Sequence, residues 1–533
     1  MFDLAIVGSG FGGALTGLVA RSLGLDVILL ERGTHPRFAI GESSTPMSNI
    51  LLETIARDYD LPRIHPLARY GTWKRTYPEV GVGPKRGFSF YAQPTFRPFA
   101  AMRDRSDQLL AEASPHHDVA DTHWYRPDFD HFLVREAQTA GVAYVDRVLL
   151  DTFERKGETC VLSGTRAGAP FRVEARFVVD ASGPRGFLAR ALHLQESRFA
   201  GYPDTQGLFT HFTGVHRWQD VKPGVDESEP PYPVDDAALH HVFDGGWMWV
   251  LRFDNGITSA GFALEDRLAA ELRIADGEVA WPRILERLPS IRAQFADAVS
   301  VESWRHMPRI PFRSSVASGP GWTMLPSAAA VIDPLFSTGI PLALLGVDRI
   351  GRAIRTAWGT PAFEARMRAH EVNTLFEADA AAKLVGTAYR TFRHFPLFVG
   401  IGSCYLASVS FSEVCYRLGD RERANGFIAC RDERYVREFD AISKDAARLA
   451  ESDELDRASL ARFEARVAAA ISPMNVAGFC DARRRGWYPV DFQALISTSA
   501  KLGRKPEEVR SFLVAQGLVS QEMVRWLDRA HLG

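Results

Sequence analysis

The sequence predicts an α/β fold with a parallel nucleotide-binding sheet, an antiparallel second sheet and a helical C-terminal cap. Three observations predict it. A glycine-rich turn joins a strand to a helix near the N-terminus, alternating apolar strands fill residues 200–300, and almost wholly helical sequence follows residue 361. Apolar strands flanked by helices are typical of parallel sheets, whereas alternating strands are typical of antiparallel ones. We therefore expect the second sheet to lie over the first.

The parallel sheet is predicted from a motif within residues 1–32. The apolar run 2–7 leads into Gly8-Ser9-Gly10-Phe11-Gly12-Gly13, and an apolar periodic segment follows from 14 to 23. A second apolar run, 26–30, ends on Glu31. This order of strand, glycine turn, helix, strand and acid is the G-x-G-x-x-G fingerprint in its full context. It predicts a Rossmann-like dinucleotide site.

Each glycine of the motif, and the acidic residue that follows, has a physical role. Gly8 permits the tight turn, Gly10 lets the backbone approach a pyrophosphate, and Gly13 lets helix and strand pack closely. The helix N-terminus then faces the phosphates. Glu31 is placed to bind ribose hydroxyls. The alternative is a tight strand–helix turn without a ligand, and the five parts in order favour the dinucleotide.

The remaining elements follow in chain order. The N-terminal region is predicted to contain a helix from about residue 47, a strand at 87–91 and a helix from 125 to 140. Short strands are predicted at 143–148, 160–164, 171–173 and 177–179, before the turn Asp180-Ala181-Ser182-Gly183. Alternating strands are predicted at 207–214, 240–243, 247–253 and 258–264, then helices at 265–275 and 281–288. A strand and turn at 322–333 precede a helix at 340–356.

A chain of 533 residues exceeds the usual size of one core, so two or three subdomains are expected. We predict that the nucleotide domain comprises residues 1–195 and 301–345, with an insert near 60–122. Residues 196–300 are predicted to form the substrate-side sheet, and residues 346–533 the helical cap.

Composition limits the possible partners. The net charge of −2 argues against a nucleic-acid partner. Five scattered cysteines without a C-x-x-C pair indicate neither disulfides nor a zinc site or other metal centre, and they fit a reducing cytoplasm. The first strand begins at residue 2, which leaves no room for a signal peptide. The uncharged stretch 395–412 contains proline, two glycines and four serines, so a buried helix or pocket wall is favoured over a membrane span.

Three later segments accompany the fingerprint: 126–130 (Arg-Pro-Asp-Phe-Asp), 180–183, and Asp333-Pro334 ahead of Gly339. Together they resemble the FAD domain of the aromatic-hydroxylase type in the flavin monooxygenase superfamily. The resemblance implies that Arg126 lies near the flavin and that Asp333-Pro334 holds its ribityl–isoalloxazine end. The chain has a single nucleotide fingerprint, so a separate NAD(P)H-dependent flavin reductase is expected to supply electrons.

Within that superfamily, three stretches resemble flavin-dependent halogenases. Residues 246–252 (Gly-Trp-Met-Trp-Val-Leu-Arg) are similar to the family's G-W-x-W-x-I-P, and depart from it after the second tryptophan. Residues 333–340 (Asp-Pro-Leu-Phe-Ser-Thr-Gly-Ile) are similar to its flavin and halide loop, and 85–90 (Lys-Arg-Gly-Phe-Ser-Phe) to the segment with its catalytic lysine. The loop Gly41-Glu42-Ser43 also fits. The resemblance covers about residues 2–345.

The resemblance implies a set of site residues. Lys85 would be catalytic, Ser337, Thr338 and Gly339 would bind the halide, and Trp247 and Trp249 would separate flavin from substrate. FAD contacts are expected from Gly8, Gly10, Phe11, Gly12, Gly13, Ala14, Glu31, Arg32, Ser43, Ser44, Arg126, Val148, Asp333 and Ile340.

Each of these motifs also has an ordinary structural explanation. Tryptophans at i and i+2 lie on one face of a strand, where they often serve only as core. Ser337-Thr338-Gly339 could simply begin a helix, although free N–H groups there would also suit an anion. A lone lysine such as Lys85 is usually solvated. The glycine and the alternating Phe-x-Phe strand that follow it favour the catalytic role.

Two departures from the family pattern bear on the substrate and the cofactor. Phe336 stands where tryptophan-type halogenases carry glutamate, which resembles members acting on phenols, pyrroles or carrier-bound substrates. Pro326-Ser327 stands where the superfamily usually has Gly-Asp, so the acidic contact to the flavin ribityl is in question.

The resemblance implies an FADH2- and O2-dependent halogenase. Chloride or bromide would be converted to hypohalous acid, which reaches Lys85 and halogenates a small, electron-rich aromatic, free or carrier-bound. The alternatives are a flavin hydroxylase, an isoprenoid-chain reductase, whose motif also has paired aromatics, and a flavoprotein that only binds. Lys85 together with the paired tryptophans favours the halogenase.

Overall fold

The computed structural model describes residues 1–222 and 229–519, and an eight-stranded sheet forms its nucleotide-binding part. The central strand Phe2–Val7 pairs in parallel with Val27–Leu30 and with Ala169–Asp180. The other strands are Ala143–Val145, Val148–Lys156, Thr159–Arg166, Ser318–Gly319 and Trp322–Met324. The helix Phe11–Ser22 follows the glycine turn directly. The predicted Rossmann-like architecture is confirmed.

The strands after residue 143 differ from the prediction in two places. The predicted strand 143–148 ends at Val145, and Val148 begins the separate strand Val148–Lys156. The runs 171–173 and 177–179 belong to one twelve-residue strand, Ala169–Asp180. That strand is long because its first half pairs antiparallel with Thr159–Arg166 and its second half pairs in parallel with Phe2–Val7.

The second sheet is mixed and has nine strands, whereas an antiparallel sheet from residues 196–300 was predicted. The predicted strands are present, and four further strands of the described residues, from outside residues 196–300, extend them: Gly87–Ala92 and Gln108–Glu112 from the insert, Arg305–Met307, and Trp487–Tyr488 from the C-terminal region. Gly87–Ala92 runs parallel to Ala238–Phe243, which makes the sheet mixed. The members are Val299–Ser300, Thr205–Thr213, Thr258–Glu265, Gly246–Arg252, Ala238–Phe243, Gly87–Ala92, Gln108–Glu112, Trp487–Tyr488 and Arg305–Met307.

This sheet separates two hydrophobic cores. Trp247 and Trp249 face the core shared with the first sheet and the C-terminal helices. Met248 and Val250, which alternate with them, face a second core on the opposite side. The period of two along a strand therefore decides which side chains can reach the nucleotide-binding domain.

The remaining strands of the described residues form two smaller sheets. Val82–Lys85 pairs antiparallel with Asp121–Trp124, and this pair brings the insert against the loop after the second strand. Glu196–Ser197, Phe312–Ser314 and Ala330–Val331 form a three-stranded sheet near the turn that precedes Asp333.

The longest α-helices of the described residues lie after residue 338, whereas most of the earlier ones are short. Those before residue 330 are Phe11–Ser22, Pro46–Asp58, Tyr70–Thr76, Arg126–Thr139, Phe187–Ala191, Trp218–Val221, Asp266–Glu271, Ala280–Arg287, Pro289–Gln294 and Pro326–Ala329. Those after it are Gly339–Ala357, Ala362–Thr391, Phe395–Arg417, Glu433–Ala450, Arg457–Ile471, Phe492–Ser497 and Pro506–Ala515. The predicted helical cap extends to residue 533, and its part from residue 520 lies outside the described residues.

The uncharged stretch 395–412 forms most of the helix Phe395–Arg417. This helix is long and apolar enough to cross a membrane, with a mean hydropathy of 1.5, but 78% of its apolar window is buried inside the protein. It packs against Arg457–Ile471, Ala362–Thr391 and Pro46–Asp58. The helix is therefore a buried core element of this fold. The predicted domain boundaries stay a prediction, because one sheet is shared between the insert, residues 196–300 and the C-terminal region.

Candidate active site

A cavity of about 730 Å³ lies between the two sheets. Its walls are the glycine turn, the end of the second strand, the loop at residues 37–43, the strand Gly246–Arg252 and the segment 334–340. Most predicted site residues line it: Gly8, Gly10, Phe11, Gly12, Gly13, Glu31, Arg32, Ser43, Arg126, Val148, Trp247, Trp249, Ser337, Thr338, Gly339 and Ile340. The structure thus brings most of the predicted site residues to one cavity, although they form only part of its wall.

The three motif glycines are required for different reasons. Gly8 has a φ of +100°, and a Cβ on Gly13 would lie 1.9 Å from the Gly8 carbonyl oxygen. Both glycines are therefore needed by the fold itself. At Gly10 a Cβ would be tolerated by the protein, 3.5 Å from Arg126 Nη2, 3.7 Å from Asp130 Oδ2 and 3.9 Å from Arg37 Nη2. It would instead fill the space between the turn and these charged side chains, which the absence of a side chain at Gly10 leaves open.

Glu31 lies at the end of the second strand as a buried, ionised carboxylate. Its oxygens accept hydrogen bonds from the Ser9 backbone N–H and hydroxyl at 3.1 and 2.6 Å, and from the Gly33 N–H at 2.9 Å. Arg37 pairs with it at 3.1 Å. Burial acts to raise the pKa of Glu31, but Arg37 and these hydrogen bonds outweigh it and lower the pKa to about 2. Oε1 accepts only the Gly33 bond and retains capacity for a ribose hydroxyl.

Arg126 anchors the loop beside the cavity. Its guanidinium makes two 2.8 Å hydrogen bonds to Asp130, and donates to the carbonyl oxygens of Ile40 and Gly41 at 2.9 Å. The next loop residue, Glu42, lies 2.7 Å from the Nε2 of His211, a buried histidine of the second sheet. Sequence reasoning missed Arg37 and His211, because neither belongs to a motif and only the fold brings them to the loop.

Two predicted cofactor residues outside the cavity wall have other contacts. Ala14 is fully buried in the first helical turn, where its N–H donates to the Gly10 carbonyl. Ser44 is also fully buried, and its hydroxyl bonds to Asn49 and Thr122. The side chains of both residues are enclosed by protein, so they support the cavity wall and do not face the cavity.

The two tryptophans form one wall of the cavity, as their spacing predicts. Trp247 is fully buried, Trp249 nearly so, and their ring centroids are 5.6 Å apart. The indole N–H of Trp247 donates to Asp333 Oδ1 and to the Tyr389 hydroxyl, both at 3.0 Å. The wall is therefore fixed by hydrogen bonds as well as by packing.

The side chain of Asp333 lies in that hydrogen-bond network and does not line the cavity, whereas the adjacent Pro334 does. Its carboxylate accepts from the Tyr389 hydroxyl at 2.6 Å and from the Leu335 N–H at 3.0 Å, besides Trp247. Burial raises the pKa of Asp333 to about 7, despite these donors. The carboxylate therefore orients Trp247 and the segment 334–340 from behind the wall.

The predicted halide residues begin a nineteen-residue helix, Gly339–Ala357. Ser337 adopts the left-handed region with φ of 53°, and Thr338 is the N-cap residue, with no side-chain hydrogen bond to the first turn. A Cβ added at Gly339 would meet no atom within 4 Å. Thr338 and Gly339 both line the cavity, so the start of this helix is open to a ligand, and a helix start is favourable for an anion.

Lys85 connects the two loops that the sequence assigned to flavin and halide. The side chain is fully buried, so the expectation for a lone lysine, a solvated side chain, is wrong here. Its Nζ donates to the Ser44 carbonyl at 2.6 Å, to the Ser43 hydroxyl at 2.9 Å and to the Ser337 hydroxyl at 3.5 Å. Burial lowers the pKa of Lys85 well below its usual range.

Lys85 does not itself line the cavity, and aromatic side chains pack around it, among them His240 of the cavity wall. Its Nζ lies 3.9 Å from the Phe88 ring centroid, and His240 stacks on Phe90 at 4.5 Å. Phe336, at the position of the family's glutamate, stacks on Tyr405 at 4.7 Å, and the Tyr405 hydroxyl donates to the Phe336 carbonyl. His240 and Tyr405 were not predicted, because neither belongs to a recognisable motif.

The family resemblance is confirmed by direct comparison. The tryptophan halogenase family model matches residues 121–393, just over half of the chain. The chain therefore belongs to the tryptophan halogenase family and is a flavin-dependent halogenase. Flavin-dependent halogenation of an aromatic substrate is the activity that goes with this membership.

Individual relatives differ in the ring that they modify. Tetracycline 7-halogenase of Kitasatospora aureofaciens is 29% identical over 410 residues, which cover 74% of this chain and 71% of that protein. A 1H-pyrrole-2-carbonyl-[peptidyl-carrier protein] brominase of Pseudoalteromonas luteoviolacea is 26% identical over 372 residues, covering 68% and 81%. The fold is similar to that of halogenase PltM, solved with phloroglucinol and FAD, with a TM-score of 0.79, 24% identity and coverage of 91% and 99%.

Proposed function

We propose that this halogenase binds FAD in the cavity between the sheets and uses FADH2, O2 and chloride or bromide to halogenate an electron-rich aromatic. The observation that carries the proposal is the position of Lys85. Its ammonium contacts Ser43 of the predicted flavin loop and Ser337 of the predicted halide loop. A buried cation at this junction is placed to receive an electrophile made on the cavity side.

The residues around the cavity fit FAD. Gly10 leaves room for the pyrophosphate below Arg37 and Arg126, and Glu31 retains an acceptor site for the ribose. Val148 lies beside Glu31, whose carbonyl accepts its N–H. Arg32, Pro334 and Ile340 also line the cavity. Bound FADH2, with O2, would supply the oxidising power that turns halide into hypohalous acid.

The halide is assigned to the start of the helix Gly339–Ala357. The positive end of a nineteen-residue helix and the unpaired N–H groups of Thr338 and Gly339 attract an anion. The rings of Trp247 and Trp249 close this side of the cavity, so an aromatic substrate near Lys85 would be kept from the flavin. Hypohalous acid is small enough to pass where a substrate ring is not.

Lys85 is assigned the last step. As an ammonium it would orient hypohalous acid by hydrogen bonding. As a free amine it would take the halogen from hypohalous acid to form a haloamine, with the halogen–oxygen bond breaking and water leaving. In either form the halogen would be held at Lys85, next to Phe88 and the other rings of the proposed substrate enclosure. The low-dielectric surroundings strengthen the electrostatic interaction by which Lys85 would orient hypohalous acid. They also exclude water that would compete for the electrophile.

The substrate is proposed to be a phenol or a pyrrole. Phe336 removes the acid that would accompany the halide loop in tryptophan-type enzymes, and Phe90, Phe398 and Tyr405 provide an apolar enclosure. One relative's name specifies a pyrrole on a peptidyl carrier protein. Presentation by a carrier protein and electron supply by a separate NAD(P)H-dependent flavin reductase therefore belong to the proposal, as does a cytoplasmic location.

The test is mass spectrometry of products from a panel of phenols, pyrroles and indoles. Each reaction contains FAD, a flavin reductase, NADH, O2 and either bromide or chloride, and controls omit the reductase or the halide. A halide-dependent product with the halogen isotope pattern supports the proposal. A product that gains oxygen whether or not halide is present would establish a hydroxylase instead.

A further inference from the structure

Lys85 has an acidic neighbour on the adjacent strand. In the antiparallel pair of Val82–Lys85 with Asp121–Trp124, Lys85 is directly opposite Asp121. Directly opposed residues project from the same face of the ladder, with Cβ atoms about 4.5–5.5 Å apart. Lys85 is fully buried and Asp121 is 2% exposed. The two groups therefore share one enclosed space.

Asp121 lacks the hydrogen bonds that a buried carboxylate normally has. Oδ1 accepts a 2.6 Å bond from Asn49 Nδ2, while Oδ2 has no partner in the part of the chain that the structure describes. A buried, singly bonded carboxylate is costly unless a cation compensates it or a proton neutralises it. Burial raises the pKa of Asp121, the reverse of its effect on Lys85, and their mutual attraction opposes both shifts.

Other titratable and charged groups act on this pair from several elements. His123 on the Asp121 strand and His240 on the second sheet face Lys85, and burial keeps the pKa of both low. Toward Asp121, the helix Phe395–Arg417 contributes Tyr405, Glu413 and Arg417, and Arg69 lies further along the same side. Because the histidines are neutral and Arg417 is already paired with Glu413 and Glu53, Asp121 is the opposite charge that Lys85 meets.

We propose that Asp121 is a positioning residue that sets the protonation state of Lys85, its carboxylate acting as the counter-charge inside the space that the two side chains share. The pair is neutral overall as an ammonium with a carboxylate, and equally neutral as an amine with a carboxylic acid. A change between these two states therefore creates no net buried charge.

The consequence for catalysis rests on the proposed role of Lys85. An amine form is required for a haloamine, and an ammonium form for hydrogen bonding to hypohalous acid. An ionised Asp121 would favour the ammonium form of Lys85, and a protonated Asp121 would favour the amine. No oxidant or further reactant is involved, because only the protonation states of the two groups differ.

The first experiment measures stability and does not depend on halogenation. Denaturation midpoints are recorded for the wild type, Lys85→Met, Asp121→Asn and the double variant, between about pH 5 and pH 8. In Lys85→Met, Asp121 keeps a raised folded-state pKa, so stability should fall as pH rises. In Asp121→Asn, Lys85 keeps a lowered pKa, so stability should rise with pH. The double variant should show neither slope and a loss smaller than the two single losses added.

Controls make this result specific. Asp118→Asn makes the same change three residues earlier, at a side chain that is 68% exposed and paired with Arg75, and should match the wild type. Lys85→Gln replaces Lys85→Met if the latter does not fold. Strictly additive losses, or equal pH slopes in both single variants, would overturn the proposal even if the enzyme is a halogenase.

The second experiment compares pH profiles of halogenation. Removing the carboxylate lowers the pKa of Lys85 further, so the Asp121→Asn profile should move to lower pH by at least one unit, about tenfold in proton affinity. Flavin oxidation should keep its wild-type rate. A uniform loss of rate with an unmoved profile would show that Asp121 is merely structural. Absence of halogenation in the wild type itself would refute the proposed function and leave the stability result standing.

Discussion

The Nζ of Lys85 lies 3.5 Å from the Ser337 hydroxyl, although 252 positions separate them in the chain. Lys85 belongs to the segment between the strands Val27–Leu30 and Ala143–Val145, and Ser337 precedes the helix Gly339–Ala357. Their proximity makes one site from the predicted flavin, halide and lysine segments. Four testable predictions follow from its geometry.

Lys85→Ala should abolish halogenation while leaving flavin oxidation intact, because oxygen activation belongs to the cofactor and Lys85 acts later. A loss of about 10²- to 10⁴-fold in halogenated product is expected. Lys85→Arg should not rescue, since a guanidinium stays protonated and is a poor nucleophile. Product is measured by mass spectrometry and flavin oxidation by absorbance.

Lys74→Ala is the matched control for Lys85, because that lysine is part-exposed and pairs with Asp254 away from the cavity. Its turnover should stay near the wild-type value. If Lys85→Ala kept most of its halogenated product, a direct hydroxylase would become the better description.

Gly10→Val should abolish FAD binding without unfolding the protein, because the added atoms fill the space below Arg37 and Arg126. FAD occupancy is measured by absorbance after gel filtration, and folding by circular dichroism. Gly17→Ala, in the same helix, places its Cβ 3.6 Å from Ile6 in ordinary contact and should bind FAD normally. Normal occupancy in Gly10→Val would disprove the assignment of the glycine turn.

Bromide should bind at the N–H groups of Thr338 and Gly339. Crystals soaked in bromide are expected to show an anomalous peak there. Gly339→Val has room for its Cβ within the protein, so it should fold while losing halide-dependent turnover. A peak elsewhere, together with unchanged turnover of Gly339→Val, would contradict the assignment.

Asp333 should make stability depend on pH in a defined direction. Its pKa is about 7 in the folded protein, above the usual value of 3.8, so the folded state binds more protons between these limits. Stability contributed by this carboxyl is therefore present at low pH and lost as pH rises toward 7 and beyond. Asp333→Asn should remove that dependence, worth on the order of a few kcal/mol.

The measurement for Asp333 is chemical denaturation of the wild type and Asp333→Asn between about pH 5 and pH 8. Asp146→Asn, a carboxyl without burial of this kind, serves as control and should parallel the wild type. Parallel curves for Asp333→Asn and the wild type would show that burial does not raise the pKa of Asp333 in the folded protein.

The sequence predicted those parts of the candidate site whose residues lie close together in the chain. Gly8, Gly10 and Gly13 identify the nucleotide turn because strand, turn and helix are contiguous, and the spacing of Trp247 and Trp249 places them on one strand face. It did not predict Asp121, since only the antiparallel register brings it opposite Lys85. His240 was missed for the same reason, because a parallel pairing between the insert and residues 238–243 brings it to Phe90.

The mixed second sheet shows the same limit. Alternating apolar residues predicted its strands, but alternation does not reveal partners, and Gly87–Ala92 and Trp487–Tyr488 come from distant parts of the chain. The direction of the Asp333 side chain could not be predicted for a different reason. The motif assigns the residue to the loop, whereas the direction of its carboxylate depends on Tyr389, a residue of the helix Ala362–Thr391 outside the motif.

The helix Phe395–Arg417 supplies Phe398 and Tyr405 to the enclosure near Lys85, yet it belongs to neither the nucleotide domain nor the halide loop. On the proposed function, this helix would therefore shape the substrate side of the site. The Tyr405 hydroxyl also donates to the Phe336 carbonyl, so an exchange at Tyr405 would disturb the segment before Ser337 as well. Phe398 packs its ring against Phe90, so a change of ring preference would be sought first at that position.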